Sequence, residues 1–191
     1  MSTIYRFYSA ISIIILLSGV SYNTYGQSDK NLDSIKAKVQ MLSSDTVKVN
    51  TLLDRVEGIY CDDSLQKLIL ANEAKKIAEK INWGKGILSA NRVLGQVYFQ
   101  CQKNYPVAFD YFQMNVDYSK KNGDKINQAL AMETIARQYG YLHDHRKSID
   151  KYREILDLHP GIEIEINVLG NEGVSFSAIG DFNRALVSCH A

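Results

Sequence analysis

The sequence predicts an all-α fold of three to four antiparallel helix pairs. Three observations carry that prediction. Apolar residues recur at three- and four-residue steps along the chain beyond its first segment, the spacing of one helix face. Only two prolines, Pro106 and Pro160, occur in 191 residues, and proline breaks helix interiors. A small residue followed three positions later by an aromatic recurs as Gly95-x-x-Tyr98, Ala136-x-x-Tyr139 and Gly173-x-x-Phe176.

The chain opens on a targeting pattern. Arg6 is the only charge before Gln27, and an apolar run follows it from Ala10 through Ile13-Ile14-Ile15-Leu16-Leu17 to Val20. Thr24-Tyr25-Gly26 then offers a small residue before Gln27. A spanning helix needs about 20 apolar residues, and Ser9, Ser12 and Ser18 interrupt this run. Residues 1–26 are therefore expected to be a cleaved signal peptide, with an uncleaved anchor as the alternative. No cysteine follows the run, which argues against lipid attachment there.

Residues 27–44 form a leader. Its start is polar, and Leu32, Ile35, Val39 and Leu42 predict a short helix. Ser43-Ser44-Asp45 offers an N-cap to a helix carrying Val47, Leu52, Val56, Ile59 and Tyr60. Asp62-Asp63-Ser64 starts the next, where acidic side chains suit the helix dipole; Leu68, Ala71, Ala74, Ala78 and Ile81 give it one apolar face. From Trp83, the residues Ile87, Ala90, Leu94, Val97 and Tyr98 define a further helix. After the polar turn at 102–104, Pro106 fits a first turn, and Ala108, Phe112 and Val116 follow at four-residue steps. Asn122-Gly123-Asp124 ends that helix, with glycine free to adopt the left-handed cap. Residues 129–160 hold two more helical patterns around His143-Asp144-His145, the second with Ser148, Tyr152 and Ile155 on one face and Pro160 closing it. A final pattern starts near Glu163 and includes Gly180-Asp181-Phe182 and Ala185.

The repeat is countable. The small residues lie at 95, 136 and 173, steps of 41 and 37. A second small residue follows twelve later as Ser148 and Ala185, and thirteen later as Ala108. An aromatic three before it appears as Tyr105 and Phe182, with His145 standing in between. A small residue lets paired helices approach, and an aromatic fills the space beside it. The first pair departs from this, with Glu57 and Lys67 where small residues belong.

This pattern resembles the tetratricopeptide repeat over roughly residues 45–191. The resemblance implies a right-handed α-solenoid with units near 45–82, 83–123, 124–162 and 163–191, the last incomplete. In that family the first helix of each pair lines a concave groove that receives a peptide or protein. Carried over, the groove residues are Arg92, Gln96 and Phe99 from the second unit, Glu133, Arg137 and Tyr141 from the third, and Asn167 from the fourth. Arginine forks suit carboxylates and aromatics offer rigid apolar contact. Glu133 and Arg137, four apart, also suit a pair on one helix.

The implied function is a non-catalytic, exported, periplasmic interaction scaffold for a protein or peptide. The alternative is the sensor portion of a bacterial signalling protein, a histidine kinase, cyclase or transcription regulator without its output part. That alternative rests on the exported start, the long repeats and a last unit that stops partway through its second helix. Enzymatic activity is not expected: no Ser–His–Asp order with elbow glycines, phosphate-cradling loop or kinase motif occurs. No cofactor or metal is expected. His143-Asp144-His145 reads as a solvated turn rather than a metal cluster, and Glu163 and Glu165 as residues solvating a helix start. Removing Arg6 leaves 21 basic against 21 acidic residues, so neither nucleic acid nor an anionic membrane surface is an expected partner. The membrane would be met only through an uncleaved signal anchor.

Cys61, Cys101 and Cys189 cannot all pair within one chain. Cys61 and Cys101 fall near corresponding turns, but adjacent helices sit about 8–10 Å apart and a bridge needs Cα atoms within about 7 Å. All three are expected as small buried thiols.

Overall fold

The computed structural model describes residues 32–190; the expected signal segment and the first residues of the leader lie outside them. Among the described residues every regular element is helical. Residues 32–40 form α1. Then come α2 (Asp45–Glu57), a 3-10 turn (Cys61–Asp63), α3 (Ser64–Lys80), α4 (Gly84–Gln100) and α5 (Tyr105–Lys121). The remainder are α6 (Lys125–Tyr141), α7 (His145–Leu156), α8 (Ile162–Ala178) and α9 (Phe182–His190). From α2 to α9 successive helices pack on one another, and α2 also meets α4 as α6 meets α8. The short connections make successive helices antiparallel. No helix among the described residues is long and apolar enough to cross a membrane.

One turn chemistry recurs. Lys103, Gly123, His143 and Gly180 all take positive φ. Each is followed by an Asn or Asp whose carbonyl or carboxylate oxygen accepts from the backbone three residues on: Asn104 from Val107, Asp124 from Asn127, Asp144 from Lys147 and Asp181 from Arg184. The left-handed residue stops one helix and the side chain caps the next. The cap residue's own amide reaches back to the preceding helix, Asp144 to Tyr139 O and Asp181 to Phe176 O, both at 2.9 Å. Asn104 reaches one residue further, to Tyr98 O. That longer turn absorbs the extra residue between Gly95 and Ala108. His143 thus does the backbone work that glycine does at 123 and 180, at the cost of a left-handed non-glycine residue.

Packing follows the small residues. A Cβ at Gly95 would overlap the Phe112 ring, and one at Gly173 would meet Cys189 Sγ at 2.9 Å. Ala136 is fully buried. One buried cluster spans α1 to α4, from Leu32 to Val97. A second spans α4 to α8, centred on Phe112, Ile135 and Ile155.

In the first pair the close approach comes from α3, whose Ala71, Ala74 and Ala78 are fully buried, while α2 offers large Val49, Leu52, Leu53 and Val56. Three expectations are corrected. Phe182 does not fill space beside Ala185; it is 70% exposed, whereas its counterpart Tyr105 packs on Phe99 with ring centroids 5.0 Å apart. Cys61 and Cys101 form a disulfide with Cα atoms 4.9 Å apart. The axis-to-axis spacing of helices does not govern them, because Cys61 opens the 3-10 turn and Cys101 caps α4. There the backbone leaves both cylinders and the two turns converge. Cys189 is a free thiol and exposed.

Candidate functional site

Between the first helices α4 and α6 a cleft opens, with α5 as its floor. Leu88, Ser89 and Arg92 stand on the α4 side, and Leu130, Ala131 and Thr134 on the α6 side. Phe112 and Asn115 close the bottom. The cavity is about 180 Å³, below the several hundred Å³ of small-molecule pockets. It is sized for one inserted side chain. Its walls are apolar at Leu88 and Leu130, and its rim carries the exposed guanidinium of Arg92.

The floor is polar for a reason visible in the repeat. Asn91 sits four residues before Gly95, where the other units carry Met132 and Leu169. Asn115 sits seven after Ala108, where the third unit has Ile155 seven after Ser148. Both asparagines are buried, at 3% and 6% exposure. Asn91 Nδ2 donates to Asn115 Oδ1 at 3.0 Å, and Asn115 Nδ2 donates to Leu88 O at 2.7 Å. Asn91 Oδ1 is buried without a partner. Sequence reasoning passed over these two asparagines; the signal was an amide at an apolar repeat position.

The residues carried over by resemblance are placed as follows. Arg92 lines the cleft and donates from Nη1 to Gln96 Oε1 at 3.3 Å, one turn on. Phe99 is not on the groove surface. It is 8% exposed and packs between Tyr105 and Phe109, because the α4 face four residues past Gly95 turns into the core. Glu133 is half-buried and accepts from Asn171 Nδ2 at 3.3 Å, so its hydrogen bond runs to α8 rather than to Arg137. Arg137 and Tyr141 are exposed on α6, and Asn167 is exposed on α8.

Glu133, Arg137 and Tyr141 converge electrostatically on the phenol of Tyr152, which is buried on α7. Burial, reinforced by the Glu133 charge, pushes that phenol up to about 12; Ser148 and the Arg137 charge act in the opposite direction. Tyr152 therefore stays protonated and serves as a packed anchor beneath the α6 surface. His143 and His145 meet edge to face with ring centroids 5.9 Å apart, in the turn between α6 and α7. Among the described residues no group of three or more His, Cys, Asp or Glu is arranged to hold a metal ion.

No protein-family model matches the chain, and no curated protein matches it. Among solved structures the chain is similar to that of BtubC (BKLC) from P. vanneervenii, with a TM-score of 0.61 over 95% of this chain and 75% of that one. Sequence identity is 12%, so the likeness lies in the all-helical fold and in nothing finer.

Proposed function

We propose that the chain is a right-handed solenoid of tetratricopeptide type, with units near 45–82, 83–123, 124–162 and 163–191, and that it is a non-catalytic scaffold binding an extended peptide. The cleft between α4 and α6 carries this reading. It has room for one side chain, apolar walls and a guanidinium at its rim. A peptide side chain would insert between Leu88 and Leu130. A neighbouring peptide carboxylate would meet Arg92, whose present partner is only the neutral amide of Gln96. Sequential packing of every helix on its neighbours supports the solenoid. Export to an oxidising, periplasmic compartment is supported by the Cys61–Cys101 disulfide, since such bonds persist outside the reducing cytosol.

Selection of a random peptide library on the folded chain tests the proposal. Peptides with an apolar residue next to an acidic one should be enriched, and Arg92→Ala and Leu130→Asp should each abolish their binding while helicity is kept. Enriched peptides that bind both variants as well as the parent would overturn the assignment of the cleft.

A further inference from the structure

The short helix α1 joins the core of the first pair through Leu32 and Val39. Between α1 and that pair lies a cavity of about 400 Å³, larger than the α4–α6 cleft and of the size of small-molecule sites. Its wall is apolar. Ile35 and Leu42 come from the α1 side and Ile59 from the turn after α2, each half-buried against the core. Lys67 Nζ donates to Ile59 O at 2.6 Å and holds that turn to α3. Gln66 on α3 also lines the cavity. It is 4% exposed, and its Nε2 has no hydrogen-bond partner, whereas a buried amide donor is normally satisfied. Lys38 on α1 and Arg55 on α2 line the cavity with exposed side chains, and neither has an ion-pair partner among the described residues. Asp54 is the acid in this lining, which leaves the cations in excess.

We propose that this cavity binds a small carboxylic acid with an apolar body, as an aliphatic monocarboxylate has. The carboxylate supplies the acceptor that Gln66 Nε2 lacks and the negative charge that Lys38 and Arg55 lack. Hydrogen bonds between such charged groups are the strong ones. Lys38 and Arg55 carry their charge on long stems, so the heads can turn to the ligand while the stems cover apolar surface. The hydrocarbon part of the acid is taken out of water against Ile35, Leu42 and Ile59. Asp54 sets the selectivity. It repels a second acid group, so a monocarboxylate is favoured over a dicarboxylate.

Isothermal titration calorimetry of the full, oxidised chain with butanoate, hexanoate and octanoate at neutral pH tests the proposal. At least one of these acids should bind, and its primary amide, neutral and of the same shape, should not. Lys38→Ala and Arg55→Ala should each weaken binding by about tenfold or more, the scale of a hydrogen bond to a charged group. Gln66→Leu replaces the unpaired donor by an apolar side chain, so the fold is retained while binding weakens by a similar factor. Asp54→Asn should tighten binding and admit hexanedioate. Lys120→Ala, which removes an exposed cation on α5, should leave binding unchanged. Circular dichroism checks that the variants keep their helices. No binding of any of the three acids, equal binding of acid and amide, or an affinity unchanged by both Arg55→Ala and Gln66→Leu would each overturn the proposal. None of these outcomes bears on the peptide cleft between α4 and α6.

Discussion

Removing the Cys61–Cys101 bridge should cost the fold a large share of its stability. The bridge joins residues 40 apart. Chain entropy for a loop of that length gives about 4 kcal/mol of stabilisation, acting mainly on the unfolded chain. A domain of this size has roughly 5–15 kcal/mol in all. With a urea dependence of about 2 kcal/mol per molar, the unfolding midpoint should fall by about 2 M. The measurement is urea unfolding followed by circular dichroism, for the parent and for Cys61→Ser with Cys101→Ser. Reduced parent protein should match the double variant. Because each pair contacts only its neighbours, amide exchange should accelerate most from α2 to α4 and least in α7. Superimposable unfolding curves for oxidised parent and double variant would refute the reasoning.

Ala136→Leu should destabilise by about 1–3 kcal/mol through overpacking, and Gly95→Ala similarly against the Phe112 ring; Lys120→Ala and Lys121→Ala, on the exposed face, should shift the melting temperature little. Tyr152 has a folded pKa near 12, above the ordinary value of 10.0. Its contribution is therefore full below pH 10 and lost as the pH rises through about 12, and tyrosinate absorbance at high pH should show a late-ionising phenol that a Tyr152→Phe variant lacks, beside Tyr111, which burial also raises. The caps Asp124 and Asp144 are held below the usual carboxylate value of 3.8, Asp124 first by the Asn127 amide and Asp144 first by Lys147. Their contribution is present above that value and fades as the pH falls further, so Asp124→Asn and Asp144→Asn should flatten the acid limb of the urea midpoint. Glu172→Leu should be neutral or stabilising, since its partner Arg153 is half exposed and can be solvated; a loss of several kcal/mol would show that the carboxylate organises α9.

Helix number, order and turns were legible because they rest on local chemistry. Apolar steps, Pro106 at the start of α5 and Gly123 in the left-handed region all act within a few residues. The disulfide was not legible, because it depends on where two turns converge after the helices have packed. Phe99 was misplaced for a related reason. Family position puts it beside the groove, but its face of α4 turns into the core, where Tyr105 and Phe109 pack onto it. Asn91 and Asn115 were legible in principle. They break an apolar repeat position in one unit only, and a polar residue there is a departure that packing alone does not call for.

The two ends of the chain depart from the repeat in different ways. In the first pair, α2 lacks a small residue, and its end is held to the α4 cap by a covalent bond. In the last pair, Glu172 stands where Leu94 and Ile135 fill the core, and Cys189 stands where Phe112 and Tyr152 do. Glu172 is 5% exposed and its carboxylate is satisfied by Arg153 Nε at 3.3 Å and Ser188 Oγ at 2.8 Å. Polar contacts thus replace apolar filling between α8 and α9, and such contacts add little net stability once desolvation is counted. The buried residues of α9 are Ala185 and Ser188, so this helix is held to α8 with little apolar filling.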